Sequence, residues 1–451
     1  MKTGRKKIKT TQSLIAVTVI ALYAVSCYMY LTFFASERMP LKRHEQIKGK
    51  QYINLGEDIK NKNVNEKNIL SEDDEKGSEE TNPGSGNSDT EREELEKRQE
   101  KADKPKRRFD NLIVKGLYVT GNTAGDKKKL DDLIKIANET EINALIIDVK
   151  ETYINYSSRI PMAKEYGLDA KIFNPGEVLE KLHDNNIYAI ARIVCFRDNE
   201  LAEKRPDLAI KKKDGSLWKE NGTIAWTNPC SKEVWEYNVE IAKEAAELGF
   251  DEIQFDYVRF PTGTGPDVDY GEQAFEKSEV INQFLKYAKK ELDEYGVKVT
   301  ADVFGIICES EPDGRNIGQV LESIVKDIDV ICPMIYPSHF ANETRSTMGN
   351  GKGQVINDIL FKAPDLKPYD VVLNTLLKAK KRLSEAGVSG AEIRPYLQAF
   401  TAKYLPKGYY QHYGPKQIRE QIKAVYDAGF DGWMLWNPGN VYPKEAFLPE
   451  K

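Results

Sequence analysis

From Lys115 onward, the pattern of apolar and polar positions switches regularly between two periods. Short runs rich in β-branched and aromatic residues occur at KGLYVTG (115–121), ALIIDVK (144–150), YAIARIVCF (188–196) and EIQFDYV (252–258). Four more follow at KVTADVFG (298–305), DVICPMIYP (329–337), EIRPYLQAF (392–400) and GWMLWNP (432–438). Between them lie stretches of helical period: KKKLDDLIKIANET, NPGEVLEKLHDNN, SKEVWEYNVEIAKEAAELG, EKSEVINQFLKYAKKELDEYG, IGQVLESIVKDI, YDVVLNTLLKAKKRLSEAG and GPKQIREQIKAVYDAG. Several close on glycine, as a helix C-terminus prefers. Strands alternating with helices predict a parallel sheet with helices packed on it. Eight such strands predict a closed (β/α)8 TIM barrel over residues 109–451. An open doubly wound sheet is the alternative, but VTGNTAG is a poor match to the glycine-rich first turn it expects.

A barrel of this kind gathers the polar residues at its strand C-termini around one mouth. The second strand offers Asp148, Lys150 and Glu151, and the third Arg192 with Arg197 just beyond. The fourth gives Gln254, Asp256 and Arg259, the fifth Asp302, and the sixth Tyr336 followed by Ser338 and His339. The seventh adds Gln398, and the eighth Trp436 and Asn437. Long insertions after the third strand (197–230) and the sixth (338–366) fall at the same end. Carboxylates, arginines, amides and aromatics together make a sugar-binding inventory, because polar groups bond hydroxyls and rings stack on sugar faces. Glycoside cleavage uses two carboxyl groups, one protonating the leaving oxygen and one attacking the anomeric carbon or activating water. Asp256 and Asp302, on neighbouring strands, are the candidate pair, with Glu309 and Glu311 as rival acids. Arg259, three residues past Asp256, is either the partner holding that carboxylate ionised or a substrate ligand. Asp148, Lys150, Glu151, Arg192, Tyr336, His339, Gln398, Trp436 and Asn437 are candidate substrate contacts.

The N-terminal part reads differently. Lys2, Arg5, Lys6, Lys7 and Lys9 precede an uncharged run from Ser13 to Ala35. That run exceeds the ~20 residues a helix needs to cross a hydrocarbon core of about 30 Å. Its basic flank predicts an uncleaved signal anchor, with residues 1–12 cytoplasmic and the barrel outside. Cleavage near Ala35, giving a secreted protein, is the alternative. Residues 36–108 contain SEDDEKGSEETNPGSGNSDTEREELEKRQEKADK, a composition that cannot bury enough apolar surface to offset its chain entropy, and they predict a disordered linker.

Composition adds exclusions. The net charge is −5, and no Lys/Arg patch with interleaved aromatics argues for nucleic acid. No phosphate-binding glycine loop follows a strand. The five cysteines show no CxxC or Cys/His spacing, which predicts isolated buried thiols and no metal or organic cofactor.

The segments FDEIQFDYVRFP, TADVFG, IGQVLESIVKDIDVICPMIYPSHF, RPYLQAFT and GWMLWNPGNVY resemble, in this order, a bacterial family of predicted glycoside hydrolases common among exported proteins of Gram-positive bacteria. The resemblance covers about residues 112–448. It implies a glycosidase-type TIM barrel distantly similar to the α-amylase-like hydrolases. There the nucleophile is an aspartate ending the fourth strand, matched by Asp256, and the acid a glutamate ending the fifth, where this chain has Asp302. An arginine two residues before that nucleophile is replaced here by Gln254. The combined expectation is a membrane-anchored extracellular glycoside hydrolase acting on an envelope or extracellular polysaccharide. A non-catalytic polysaccharide-binding module and a transglycosylase on the same carboxylates are the alternatives.

Overall fold

The computed structural model describes residues 109–449, apart from residue 110 and residues 272–275. The expected anchor at 13–35 and linker at 36–108 lie outside these residues. Among the described residues no helix is long and apolar enough to cross a membrane.

Eight parallel strands form the centre: β1 (Lys115–Val119), β2 (Ala144–Lys150), β3 (Tyr188–Val194), β4 (Glu252–Asp256), β5 (Lys298–Phe304), β6 (Val330–Ile335), β7 (Tyr396–Gln398) and β8 (Trp433–Trp436). Each pairs with the next, and β1 pairs with β8 through Lys115–Trp433, Gly116–Met434 and Leu117–Leu435. The sheet therefore closes on itself. This excludes the open-sheet alternative and leaves no barrel edge unpaired. The first six and the last predicted strands match these within a few residues. The seventh is broken, because Arg394 and Pro395 separate a two-residue piece, Glu392–Ile393, from β7. Proline lacks the N–H a central strand must donate.

The helices α1 (Lys127–Glu139), α2 (Pro175–Asp184), α3 (Lys232–Leu248), α4 (Lys277–Leu292), α5 (Leu321–Ile324), α6 (Pro368–Glu385) and α7 (Pro415–Asp427) follow the strands in order. Their starts obey local chemistry. Asp126, Asn174 and Ser231 side chains accept backbone N–H bonds at the first turns of α1, α2 and α3, and proline opens α2, α6 and α7. One face of α3 buries Val234, Trp235, Tyr237, Val239 and Ile241, each large side chain contributing about 1.5–3 kcal/mol. Gly249 ends that helix at φ 108°, a conformation a Cβ would oppose. The segment IGQVLESIVKDI yields only the single turn α5. Gly318, left-handed at φ 82°, closes the preceding helix Glu311–Ile317, so the two pieces cannot merge.

The insertion after β3 carries two-residue strands at Lys211–Lys212, Lys219–Glu220 and Ile224–Ala225. The insertion after β6 carries the hairpin Gln354–Ile356/Ile359–Phe361. Both rise over the C-terminal end of the barrel. Cys195, Cys308 and Cys332 are buried free thiols and Cys230 is a partly buried one, as the spacing predicts.

Candidate active site

Strand alternation decides what faces the barrel interior, since every second residue of a strand points to the same side. On β4 these are Glu252, Gln254 and Asp256, one per layer. The floor is an ion pair, with Arg394 Nη1 donating to Glu252 at 2.8 Å, both side chains fully buried. The middle layer holds Gln254, whose oxygen accepts from the Tyr396 hydroxyl at 2.7 Å. Its nitrogen faces the sulfurs of Cys332 and Met434. The top layer opens to the C-terminal mouth and concentrates charge.

Arg192 is the hub of that layer. The sheet register sets it beside Asp148, and Asp256 stands opposite Val194, two residues further along β3. Its Nη1 donates to Asp148 Oδ1 at 2.5 Å, and its Nη2 and Nε both donate to Asp256 Oδ2, at 2.5 and 3.0 Å. Asp148 is held from its other side by the Tyr118 hydroxyl at 2.5 Å. Asp302 Oδ2 lies 3.8 Å from Arg192 Nε, and Asp302 Oδ1 has no hydrogen-bond partner among the described residues although it is buried. Both aspartate Oδ2 atoms are thus close to one nitrogen. Those two oxygens lie within about 7 Å of each other, which is compatible with the ~5–5.5 Å separation of a retaining carboxyl pair.

The two carboxyls live in opposite environments. Asp256 receives two arginine donors and the Tyr257 backbone N–H at 2.5 Å, all suited to an acceptor-only carboxylate. Asp302 is pushed well above the ordinary carboxylate range by burial and by the Asp256 charge, against the pull of Arg192. A carboxyl that keeps its proton in this way, beside one ringed by hydrogen-bond donors, is suited to act as a proton donor. Asp148 is raised to about 6 by burial, which the Arg192 charge opposes.

Above these groups lies a cavity of about 700 Å³ lined by Tyr118, Arg192, Asp256, Asp302, Tyr336 and Trp436 among others. This is within the size of small-ligand sites, about 300–1,000 Å³. Its β6–β8 side is an aromatic wall. Trp436 stands 5.8 Å from the Tyr336 ring, 5.9 Å from Tyr118 and 5.2 Å from Phe400 in an edge-on arrangement. His339 packs edge-on to Tyr336 at 5.0 Å. Burial depresses the imidazole to about 4, so it is neutral at neutral pH. The Tyr336 hydroxyl has no protein partner among the described residues, and burial followed by the Asp302 and Asp256 charges holds it protonated.

Against this geometry the sequence comparisons are decisive. Residues 116–442 match the profile of a family described as "Putative glycosyl hydrolase domain". The chain belongs to this family. Comparison with curated proteins gives no match. Among solved structures, a hypothetical protein from Ruminiclostridium thermocellum is 45% identical over 42% of this chain and 97% of its own, with a TM-score of 0.39. The PgaB (BpsB) glycoside hydrolase domain from Bordetella bronchiseptica is 12% identical over 75% of this chain and all of its own, with a TM-score of 0.50, a likeness of fold. The spore cortex-lytic enzyme SleL from Bacillus megaterium is 14% identical over 74% of this chain and 72% of its own, at a TM-score of 0.43.

Within this glycosyl hydrolase family member, Glu151, Arg192, Asp256, Arg259, Asp302, Tyr336, His339 and Trp436 all line this cavity. Asp148 stands behind it, against Arg192. Three candidates are placed elsewhere. The register between β2 and β3 slips between Asp148 and Lys150, so Lys150 leaves the inward face. Its ammonium, 1% exposed, bonds Asp198 at 2.8 Å and the Val194 carbonyl at 2.5 Å. Gln398 uses its amide on Asp365, the Phe400 carbonyl and the Ser338 N–H, and is fully buried. Asn437 bonds the Ala399 and Val441 carbonyls and the Gly439 N–H, shaping the turn after β8.

Of the two expectations for Arg259, the clamp on Asp256 is corrected. Its Nη1 bonds the Phe260 carbonyl, and its guanidinium lies over the rings of Trp226, Tyr257 and Phe304, while the arginine donors on Asp256 come from Arg192. The rival acids move away too. Glu309 accepts from the Asn357 backbone at 2.9 Å, and Glu311 pairs with Arg315; neither lines the cavity. Tyr118, Tyr257 and Tyr396 were not anticipated. For Tyr118 the signal was present, a hydroxyl-bearing ring on the inward face of an apolar strand.

Proposed function

We propose that this protein is a membrane-anchored, outward-facing glycosidase that cleaves O-glycosidic bonds in a cell-envelope or extracellular polysaccharide with retention at the anomeric carbon. One observation carries the chemistry: two carboxyls share Arg192, one ringed by donors and the other buried with a raised affinity for its proton. Asp302 gives that proton to the glycosidic oxygen as the C–O bond breaks. Asp256 attacks the anomeric carbon from the other face and forms a glycosyl ester. The sugar-bearing leaving group departs as an alcohol. Water then attacks the ester with Asp302, now ionised, taking its proton, which restores both groups. Asp148 and Tyr118 keep Arg192 aimed at Asp256. With Asp302 neutral, Asp148, Asp256 and Arg192 sum to one negative charge, which favours the oxocarbenium-like transition state. Trp436 and Tyr336 offer rings against which a sugar packs.

The basic flank and uncharged run at 13–35 support the anchor, and the charged linker would let the barrel reach glycan near the membrane surface. The test is to incubate the full-length protein in detergent with a panel of bacterial envelope and secreted polysaccharides. Release of reducing ends is followed beside Asp256→Asn and Asp302→Asn. Release by the wild type, abolished in D256N, is expected. Glycan retention without release, equal in all three proteins, would instead identify a binding module, and longer chains without new reducing ends a transglycosylase.

A further inference from the structure

The cavity above Asp256 and Asp302 has two unlike sides. The aromatic wall belongs to β6–β8. On the side of β3 to β5 the lining turns cationic, with Arg197, Arg259 and Lys277. Shared rings link these three. Arg197 and Arg259 each stand 5.2 Å from the Tyr257 ring, and Arg259 lies 4.6 Å from that of Phe304, two residues past Asp302 on β5. Arg259 Nη1 bonds the Phe260 carbonyl, and the Lys277 ammonium sits 5.3 Å from the Phe260 ring. The acids on this side are Glu220, which accepts from Arg197 Nε at 3.0 Å, and Asp313; Glu151 lines the cavity further round, past β2. The placement of Lys277 is costly for the fold by itself. It opens α4, where the helix dipole is positive and favours an acidic side chain. It is half-buried, and its ammonium bonds the Asn316 carbonyl at 2.9 Å and faces the Phe260 and Tyr270 rings. No carboxylate pairs with it among the described residues. Burial accordingly holds its pKa below the ordinary lysine value. A partly buried cation without an anion carries a desolvation cost that an incoming negative group would offset.

We propose that the β3–β5 side of the cavity is a subsite for an anionic group of the glycan, a carboxylate or a phosphate, and that Lys277 selects for it. The proposal deepens the reading of the cavity as a glycan site and rests on it. A sugar hydroxyl can accept a bond from the Lys277 ammonium but brings no charge. A carboxylate or phosphate oxygen forms a bond with charge on both partners, and such bonds are the stronger kind. Specificity is the difference between the two. Arg197 and Arg259 supply the positive surroundings, and Lys277 makes the contact.

The test uses the full-length protein in detergent and matched polymers that differ in charge. These are polygalacturonate beside its methyl ester, hyaluronan beside its carboxyl-reduced form, and phosphomannan beside its dephosphorylated form. The first two pairs probe a carboxylate and the third a phosphate. Retention is measured on D256N, so that cleavage does not intervene. The charged member of at least one pair should be held at least about tenfold more tightly than the neutral one. Added to D256N, Lys277→Gln should abolish that preference, Lys277→Glu should turn it against the charged member, and Lys277→Arg should restore it. Recovery in K277R separates a lost contact from a misfolded chain. A preference that survives K277Q would place the attraction elsewhere and overturn the proposal. Equal retention of both members in every pair, or no retention of any charged one, would overturn it too. The two readings fail separately. Wild-type release of reducing ends from neutral and charged members alike would keep the hydrolase and remove the subsite. A Lys277-dependent preference with no release from any polymer would keep the subsite and remove the hydrolase.

Discussion

Asp302 and Arg192 make separable demands on experiment. If Asp302 is the acid, its loss should be felt in proportion to how much the leaving group needs a proton. Asp302→Asn should lower kcat on polysaccharide by about 10²–10⁴. An aryl glycoside with an acidic phenol, which departs unaided, should lose much less at the same position. Equal losses on both substrates would remove Asp302 from that role. The pH profile has a definite sign: the acid must be protonated, so kcat/KM falls as pH rises through its elevated pKa. Arg192 answers to stability as well. Arg192→Met leaves Asp148 and Asp256 buried without their cation, and removing one partner of a buried pair costs about 3–5 kcal/mol. Denaturant melts measure this, and a loss under about 1 kcal/mol would mean that water already relieves the cluster.

The strands and long helices were legible because they carry a period, and the barrel follows from their alternation. Placement within an element was less so. Asp148 and Lys150 share an inward parity on paper. The bulge that separates them is a property of the β2–β3 pairing, not of either strand's sequence. Arg259 looked like the partner of Asp256 because it is three residues away in the chain. Arg192, on the neighbouring strand, wins because β3 and β4 run in register. The two-residue strands of the insertions have too few positions to show alternation. Gln398 sits on β7 at the expected strand end, yet its amide links Asp365 and Ser338 from the loops. The two roles differ in outcome. Gln398→Ala should leave KM unchanged and cost about 1–3 kcal/mol of stability, since it strands buried polar partners. Trp436→Ala should raise KM several-fold with a smaller effect on melting. A raised KM in Q398A would return that residue to the substrate site.

For the whole barrel, the buried carboxyls impose a pH dependence on folding that runs opposite to acid denaturation. Asp148 and Asp365 are raised to about 6, both chiefly by burial, and Asp302 is raised well above the ordinary carboxylate range. In the unfolded chain all three titrate near about 3.9. Between about pH 4 and 6 the folded state therefore binds more protons than the unfolded state, and stability falls as pH rises, by at most about 1.4 kcal/mol per unit for each group. His339 pulls the other way over a similar range, since burial lowers it to about 4 from an ordinary value near 6.5. One histidine against three carboxyls leaves a net fall. At still lower pH the trend reverses. Carboxylates such as Glu141 are held low by the Leu448 N–H, Arg419 and Lys115 despite their burial, and they lose those partners on protonation. The melting temperature should therefore be highest in mildly acidic solution and decline toward pH 7.5. Asp365 allows a test away from the cavity, since it accepts from Gln398 and from the Gln411 backbone, and its side chain touches neither Arg192 nor Asp256. In Asp365→Asn, which cannot ionise, the decline between pH 5 and 7.5 should be shallower than in the wild type. A slope unchanged by that substitution would mean that Asp365 contributes nothing to the pH dependence, and that the fall belongs to the arginine cluster alone.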